Sequence, residues 1–308
     1  MKLLITGCCG HIGSFVTENV YKIKNIKETI ITDNLNNQNY HTLFKSKKKN
    51  NLTFFKKDIS KKNSLNNIKH LDYVIHCASI TNAENSFENK KEMYRNNLNC
   101  LKTVIKLCQR TKAKLIHISS TSVYGKNALI VDENCEKKYL IPQSPYADIK
   151  LMEEKILSKN KKNIKFNTYR FGTIAGISKG IKFHTAVNKF CLNAALKQNI
   201  NVYQTALHQY RPYLSVKDAF KVFKLTIEKD LFKNDIYNVV SANHTVAQIL
   251  NKIKKNIRNI KIRFVKTKIM NKLSYKVSND KIKKEGIFLS NNIDKEIIDT
   301  INLFRNIK

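Results

Sequence analysis

Three of the eight glycines in this 308-residue chain fall within its first thirteen residues. They stand in Thr6-Gly7-Cys8-Cys9-Gly10-His11-Ile12-Gly13, directly after the apolar run Leu3-Leu4-Ile5. A chain so sparing of glycine is expected to place it where a Cβ would fail. A strand, a tight turn and a helix from His11 to about Tyr21 predict a phosphate-binding corner. The first glycine permits the sharp turn. The second lets a pyrophosphate reach the backbone, and the third lets helix and strand pack closely. The helix N-terminus adds unpaired N–H groups and a partial positive charge. Gly7, Gly10, His11, Ile12 and Gly13 are therefore the first candidate dinucleotide contacts.

Apolar, β-branched runs recur at Leu3–Thr6, Thr29–Thr32, Leu52–Phe55, Tyr73–His76, Leu115–Ser119 and Ile164–Tyr169. Helical patterns fall between them, notably at 92–110, where Leu98, Leu101, Ile105 and Leu107–Cys108 fall at helix-like spacing, and at 146–158. The alternation predicts an α/β fold: a doubly wound parallel sheet of the Rossmann type, with helices on both faces. Ligands then bind beyond the C-terminal strand ends. After about Gly176 the alternation loosens into helices near 184–196, 216–227 and 293–304 with short strands between. The expected division is a dinucleotide-binding domain over 1–175 and a smaller C-terminal substrate lobe over 176–308, with some of its segments returning to the first domain.

The residues at the predicted strand ends carry the chemistry. Asp33 closes the second strand, 20 residues past Gly13. A carboxylate there accepts from both adenosine ribose hydroxyls and repels a 2′-phosphate, which favours NAD over NADP. Asn34 follows it. Asp58-Ile59, after the third strand, is placed to meet the adenine amino group. Cys77-Ala78-Ser79, after the fourth, leaves room for pyrophosphate and ribose. Ser119-Ser120-Thr121-Ser122-Val123-Tyr124-Gly125 follows the fifth strand. Downstream, Tyr146 and Lys150 stand four residues apart on one helical face. An ammonium beside the phenol, with the positive nicotinamide ring, is expected to lower the tyrosine pKa and make it a general base near neutrality. The Ser120 hydroxyl can bond the same substrate oxygen.

These motifs resemble the extended short-chain dehydrogenase/reductases, in particular the NAD-dependent epimerase/dehydratase family of nucleotide-sugar enzymes. The resemblance rests on Thr-Gly-x-x-Gly-x-x-Gly at 6–13, Asp33-Asn34-Leu35, Asn96-Asn97-Leu98-Asn99 and the Ser119 to Gly125 stretch. It continues in Pro142-Gln143-Ser144-Pro145-Tyr146-x-x-x-Lys150-Leu151-Met152-x-Glu154, in Arg170-Phe171-Gly172-Thr173 and in Arg211 to Asp218. It spans most of the chain and weakens after about residue 230. Several motifs are similar to those of the UDP-galactose 4-epimerases.

The resemblance implies Ser120, Tyr146 and Lys150 as the catalytic set, with Asn97 near it. Tyr146, Lys150 and Phe171 are implied as further NAD contacts, and Ser120, Tyr146, Thr173 and Arg211 as substrate contacts. Arg211 would grip the substrate diphosphate, which a planar guanidinium suits. Thr121-Ser122 stand where the dehydratases of the family carry Asp-Glu, so 4,6-dehydration is not expected. Thr173 stands where its epimerases commonly carry asparagine. Lys182, His184 and Asn188 lie where the family approaches the nucleotide, with phosphate or base contact and local packing both open. The implied reaction is C4 epimerisation of a nucleotide-diphosphate sugar through a keto-sugar. The alternatives are a reductase or dehydrogenase on such a sugar, and a non-catalytic NAD-binding protein that holds RNA.

The net charge of +34 bears on that last alternative. The basic residues lie along the whole chain, and no aromatic residues interleave with the knots at 45–49 and 252–255 as a stacking platform needs. The reading preferred here is a solvated lysine-rich surface with no nucleic-acid partner. The seven cysteines form no Cys-x-x-Cys pair and read as reduced small hydrophobes with no metal site. No apolar run approaches the roughly 18 residues of a membrane span, and the N-terminal apolar run is too short for a signal peptide. The expectation is a cytoplasmic protein without a membrane partner. The family resemblance implies a homodimer formed through the helices near 92–110 and 145–158.

Overall fold

The computed structural model describes residues 1–44, 51–81, 86–125, 130–266 and 274–305. In chain order the first half contains β1 (Lys2–Thr6), α1 (His11–Asn19), β2 (Glu28–Asp33), β3 (Leu52–Lys56), β4 (Tyr73–His76), α2 (Lys90–Thr111), β5 (Lys114–Ser120), β6 (Ile130–Val131), α3 (Pro145–Lys159) and β7 (Phe166–Phe171). There follow β8 (Thr173–Ala175), α4 (Ala186–Ala195), β9 (Ile200–Tyr203), β10 (Tyr210–Ser215), α5 (Val216–Glu228), β11 (Asp235–Val239) and β12 (Ala242–Thr245). The chain closes with α6 (Val246–Lys254), β13 (Ile262–Val265), β14 (Lys276–Val277), α7 (Asp280–Lys284) and α8 (Asp294–Phe304).

Seven strands form one sheet in the order β11-β7-β5-β4-β1-β2-β3, and every adjacent pair is parallel. The predicted doubly wound sheet is therefore present. Its central strands are covered on both faces, which explains the unbroken apolar runs: Leu3, Leu4 and Ile5 are fully buried. One face packs under α1 and α5, with Phe15 against Phe220. The other packs under α2 and α3, where Leu101, Val104, Cys108 and Leu157 meet Leu4, Val74 and Leu115. A separate core joins α4, α6 and α8 beside the small β12-β10-β8 sheet.

Two strands differ from the sequence expectation. The strand expected at Ile164–Tyr169 runs Phe166–Phe171 instead. Ile164 still belongs to the turn after α3, its N–H bonded to Asn160 O. The strand reaches Phe171 because Arg170 is buried rather than exposed. Its Nε and Nη2 donate to Glu154 at 2.9 and 2.7 Å, and its Nη1 to the Tyr124 hydroxyl at 2.8 Å. Strand β11 was not anticipated: its sequence Asp-Ile-Tyr-Asn-Val lacks a continuous apolar run. Asn238 nonetheless sits fully buried, held by Tyr124 and by Ser278 O.

Local signals fix where the site-bearing helix starts. The Ser144 side chain caps α3 by accepting from Ala147 N, and Pro145 occupies the first turn. Tyr146 is thereby held at the mouth of the helix, one turn before Lys150. Among the described residues no helix is long and apolar enough to cross a membrane.

Methionine at Arg170 would strand a buried carboxylate at Glu154. Urea unfolding of R170M is expected to show a loss of about 3–5 kcal/mol. A loss below about 1 kcal/mol would mean that the pair behaves as a solvated one.

Candidate active site

A cavity of about 980 Å³ opens along the C-terminal ends of β1, β2, β4 and β5 and continues under the second lobe. It is lined by Gly7, Gly10, His11, Ile12, Gly13, Asp33, Asn34, Asp58, Ile59, Cys77, Ala78, Ser79, Ser120, Tyr146, Lys150, Phe171, Thr173 and Arg211. The chain thus brings nearly all the sequence-expected residues to one continuous surface. Asn97 is the exception.

The turn is built by close backbone approach. Gly7 has φ +66°, and a Cβ there would lie 2.6 Å from Ala78 N. A Cβ on Gly13 would lie 2.1 Å from Gly7 O, so the helix can sit on the turn only through glycine. Gly10 differs: the only neighbour of its Cβ within 4 Å is Gly7 O, at 3.4 Å. The outer side of the turn is open at the place where a phosphate would approach. Asp33 stands next to it, its Oδ2 accepting from Cys9 N at 3.1 Å and its Oδ1 from Leu35 N at 2.9 Å. Each oxygen keeps acceptor capacity for a ribose hydroxyl. A glycine turn, an acidic β2 end and small residues at 77–79 along one groove fit a dinucleotide.

His11 lines the cavity but has a second task. Its Nε2 donates to Gly176 O at 2.9 Å, and burial lowers its pKa to about 4, so the ring is neutral. The segment behind it, which the resemblance places near the nucleotide, packs against the turn itself. A Cβ on Gly180 would come within 2.5 Å of the carbonyl oxygens of Cys9 and Gly10. Gly180 N donates to Ser14 Oγ at 2.9 Å, and Lys179 Nζ pairs with Glu18 at 3.1 Å. A strap around residues 176–180 therefore lies directly on the glycine turn.

The seven cysteines are free thiols. Cys8 Sγ, Cys9 Sγ and an Asp33 oxygen lie within 4.8 Å of one another. The Asp33 carboxylate is engaged by the two backbone donors just described, and the thiols bond each other at 3.7 Å.

The reacting groups meet at the end of β5. Ser120 Oγ accepts from Ser122 N at 3.1 Å and Ser122 Oγ at 2.8 Å. Its own proton is left for the neighbouring Tyr146 phenol or for a substrate oxygen. Lys150 Nζ lies 5.9 Å from the centre of the Tyr146 ring. The acidification expected of Tyr146 counts on the positive nicotinamide ring as well as on Lys150. Burial raises its pKa above the ordinary value, Glu153 pushes the same way, and Lys150 and Ser120 offset only part of the rise.

Asn97 also departs from expectation. It is fully buried and does not line the cavity. Its Oδ1 accepts from Ile80 N at 2.9 Å and its Nδ2 donates to Ile80 O at 3.0 Å. It fixes the chain beyond β4, as a strand would, from behind the wall. Asn188 likewise holds backbone, accepting from Gly176 N and donating to Lys182 O.

The far end of the cavity is basic. Arg211 on β10 donates to Tyr210 O at 3.1 Å and to Gln209 Oε1 at 2.7 Å, and burial lowers its pKa. Lys182 lines the same cavity, its Nζ donating to Thr81 Oγ1 at 3.3 Å, and burial lowers its pKa as well. His184 lines it too. A partly desolvated guanidinium gains from an anion such as a diphosphate; Lys182 stands elsewhere in the cavity, beside Asp33 and His11. Tyr203, Thr205 and Tyr275 complete the wall. They lie in parts of the sequence without a motif, and only the folding of β9 and of the chain before β14 brings them in.

Residues 3–240 match the NAD dependent epimerase/dehydratase family. The chain belongs to this family. A putative UDP-glucose 4-epimerase of Methanocaldococcus jannaschii is 28% identical over 250 residues, covering 79% of this chain and 78% of that protein. A trifunctional UDP-glucose 4,6-dehydratase/UDP-4-keto-6-deoxy-D-glucose 3,5-epimerase/UDP-4-keto-L-rhamnose-reductase of Arabidopsis thaliana is 26% identical over 300 residues, which is 92% of this chain. The chain spans only 44% of that plant protein's length. Among solved structures, the Thermus thermophilus UDP-glucose 4-epimerase complex with NAD superposes with a TM-score of 0.82 at 21% identity, covering 100% of both chains. At that identity the superposition speaks for the fold.

One variant probes the dinucleotide end. D33A is expected to weaken NAD binding by about ten- to a hundredfold, the worth of a charge-assisted hydrogen bond, and to narrow the preference for NAD over NADP, as read by calorimetry. Equal affinity of D33A and the unmodified protein for NAD would remove Asp33 from the cofactor site.

Proposed function

We propose that this protein is a nucleotide-sugar epimerase that inverts C4 through a transient keto-sugar. The observation that carries the proposal is the position of Ser120, Tyr146 and Lys150. They line one cavity together with the glycine turn and Arg211. A dinucleotide lying from Asp33 towards Ser120 and a sugar diphosphate lying from Arg211 towards Tyr146 would meet at that trio.

Bound NAD would supply the hydride acceptor and the returning hydride donor. The chain's own residues do the rest. Tyr146 as phenolate takes the proton from the sugar hydroxyl while Ser120 donates a hydrogen bond to the same oxygen. Lys150 holds positive charge below the phenol. Arg211 grips the diphosphate, so the sugar can turn while the nucleotide stays anchored. Tyr146 then returns the proton to the oxygen on the opposite face.

The β5 end favours this reading over dehydration. Loss of water across C5 and C6 needs a base for the C5 proton and an acid for the C6 hydroxyl. Thr121 and Ser122 offer hydroxyls only, and both are engaged: Thr121 Oγ1 donates to Phe171 O at 3.2 Å, and Ser122 donates to Ser120. The relatives include proteins named as dehydratases and reductases, so the discriminating measurement is redox balance.

Purified protein with bound NAD is to be incubated with a panel of UDP-, dTDP-, GDP- and CDP-sugars. The expected result is C4 epimer formation with no net NADH. Y146F should lose about 10²- to 10⁴-fold in kcat with its NAD content unchanged. NADH appearing or disappearing in step with product would make the protein a dehydrogenase or reductase. No conversion by NAD-loaded protein would overturn the proposal.

A further inference from the structure

Beneath the catalytic pair lies a carboxylate that the reaction does not use. Glu153 stands three residues after Lys150 on α3, is 1% exposed and does not line the cavity. Its Oε2 receives the Lys150 ammonium at 2.8 Å. The same oxygen faces His117 Nε2 at 3.1 Å. His117, on β5, is fully buried, and its Nδ1 lies 3.3 Å from Thr168 Oγ1. A carboxylate gripped by an ammonium is ionised, so the imidazole must be the donor at Nε2. A salt bridge this deep is costly to form, and it persists only with every partner in place.

We propose that Glu153, braced by His117, is a positioning residue for the catalytic pair. It fixes the Lys150 ammonium beneath Tyr146 and offsets its charge, so that Tyr146 begins to act as a base at a higher pH than an uncompensated lysine would set. The inference rests on Tyr146 being the base of the proposed reaction.

The surroundings leave the charge balance to this group. On α2, Cys100 is a buried thiol pushed up to about 12 by burial, with Asp58 and Glu153 adding to the rise. Cys77, just past β4, is pushed up to about 12 by burial. His76 on β4, stacked 6.5 Å from His117, is lowered to about 3 by burial and by His117, and is neutral. Glu154 on the same helix is closed into its own pair with Arg170. Burial opposes the ionisation of Glu153, yet Lys150 and His117 hold it at about 2. Burial likewise opposes the Lys150 charge, and Glu153 reverses that. A bare ammonium 5.9 Å from the phenol ring would pull the phenol's pKa down; the same ammonium clamped to a carboxylate pulls much less.

The test is E153Q, which keeps shape and removes the charge. In 13C-tyrosine NMR, with Y146F to assign the signal, the Tyr146 titration midpoint should fall by about one pH unit. That reading needs no substrate, so it stands or falls apart from the epimerase proposal. Where a sugar is turned over, the acid limb of kcat/KM should move to lower pH by the same amount, because the base loses its proton earlier. If Glu153 only fills space, E153Q would change the melting temperature and leave both midpoint and limb in place, which would overturn the inference. The unmodified protein gives a reading that survives a folding failure of the variant: without NAD, its Tyr146 must titrate above the ordinary tyrosine value of about 10. A midpoint below that value would overturn the inference as well.

Discussion

The close approach of three backbone segments at Gly7 sets the geometry of the whole active face. Gly7 touches Ala78 at the end of β4 and Gly13 on α1, and its N–H donates to Thr32 O on β2 at 2.8 Å. Strands β1, β2 and β4 are thereby cinched together at their C-terminal ends. The groove for a dinucleotide is what remains outside that knot. With any larger side chain at Gly7 or Gly13 the helix would move off the turn, and its N-terminus would no longer aim at the groove.

The first five strands were legible because a parallel sheet buried on both faces demands unbroken apolar runs, and this lysine-rich chain has few other places for them. The site was legible for a related reason: turn glycines, strand-end carboxylates and a Tyr-Lys pair are residue types that ordinary packing does not call for at those spacings. What stayed hidden depends on tertiary contact. Strand β11 carries Asp235, Tyr237 and Asn238, and it reads as a loop until Tyr124 and Ser278 are brought beside Asn238. Asn97 shares its spacing with residues that reach the ligand, but its amide is spent on Ile80.

The electrostatics of Tyr146 in the protein alone depend on a residue that the sequence did not single out. Glu153 lies between Met152 and another glutamate, in a stretch that reads as the wet side of an amphipathic helix. In the fold that side meets His117 of β5, and the carboxylate turns inward. A rule drawn from two residues four apart omits the third and fourth members of the cluster. The rest of the cavity wall was equally opaque, since Tyr203, Thr205 and Tyr275 come from short segments far apart in sequence that only tertiary packing brings together.

The strap at 176–182 carries a mechanical consequence. Its glycine backbone presses on the carbonyls of Cys9 and Gly10, and its flanks are tied to α1 through His11, Ser14 and Glu18. The two halves of the molecule share a seam that runs over the very loop on which a dinucleotide would rest. Prising them apart to let a large ligand in or out must tug on that loop. Any motion that opens this seam is therefore geared to the shape of the glycine turn.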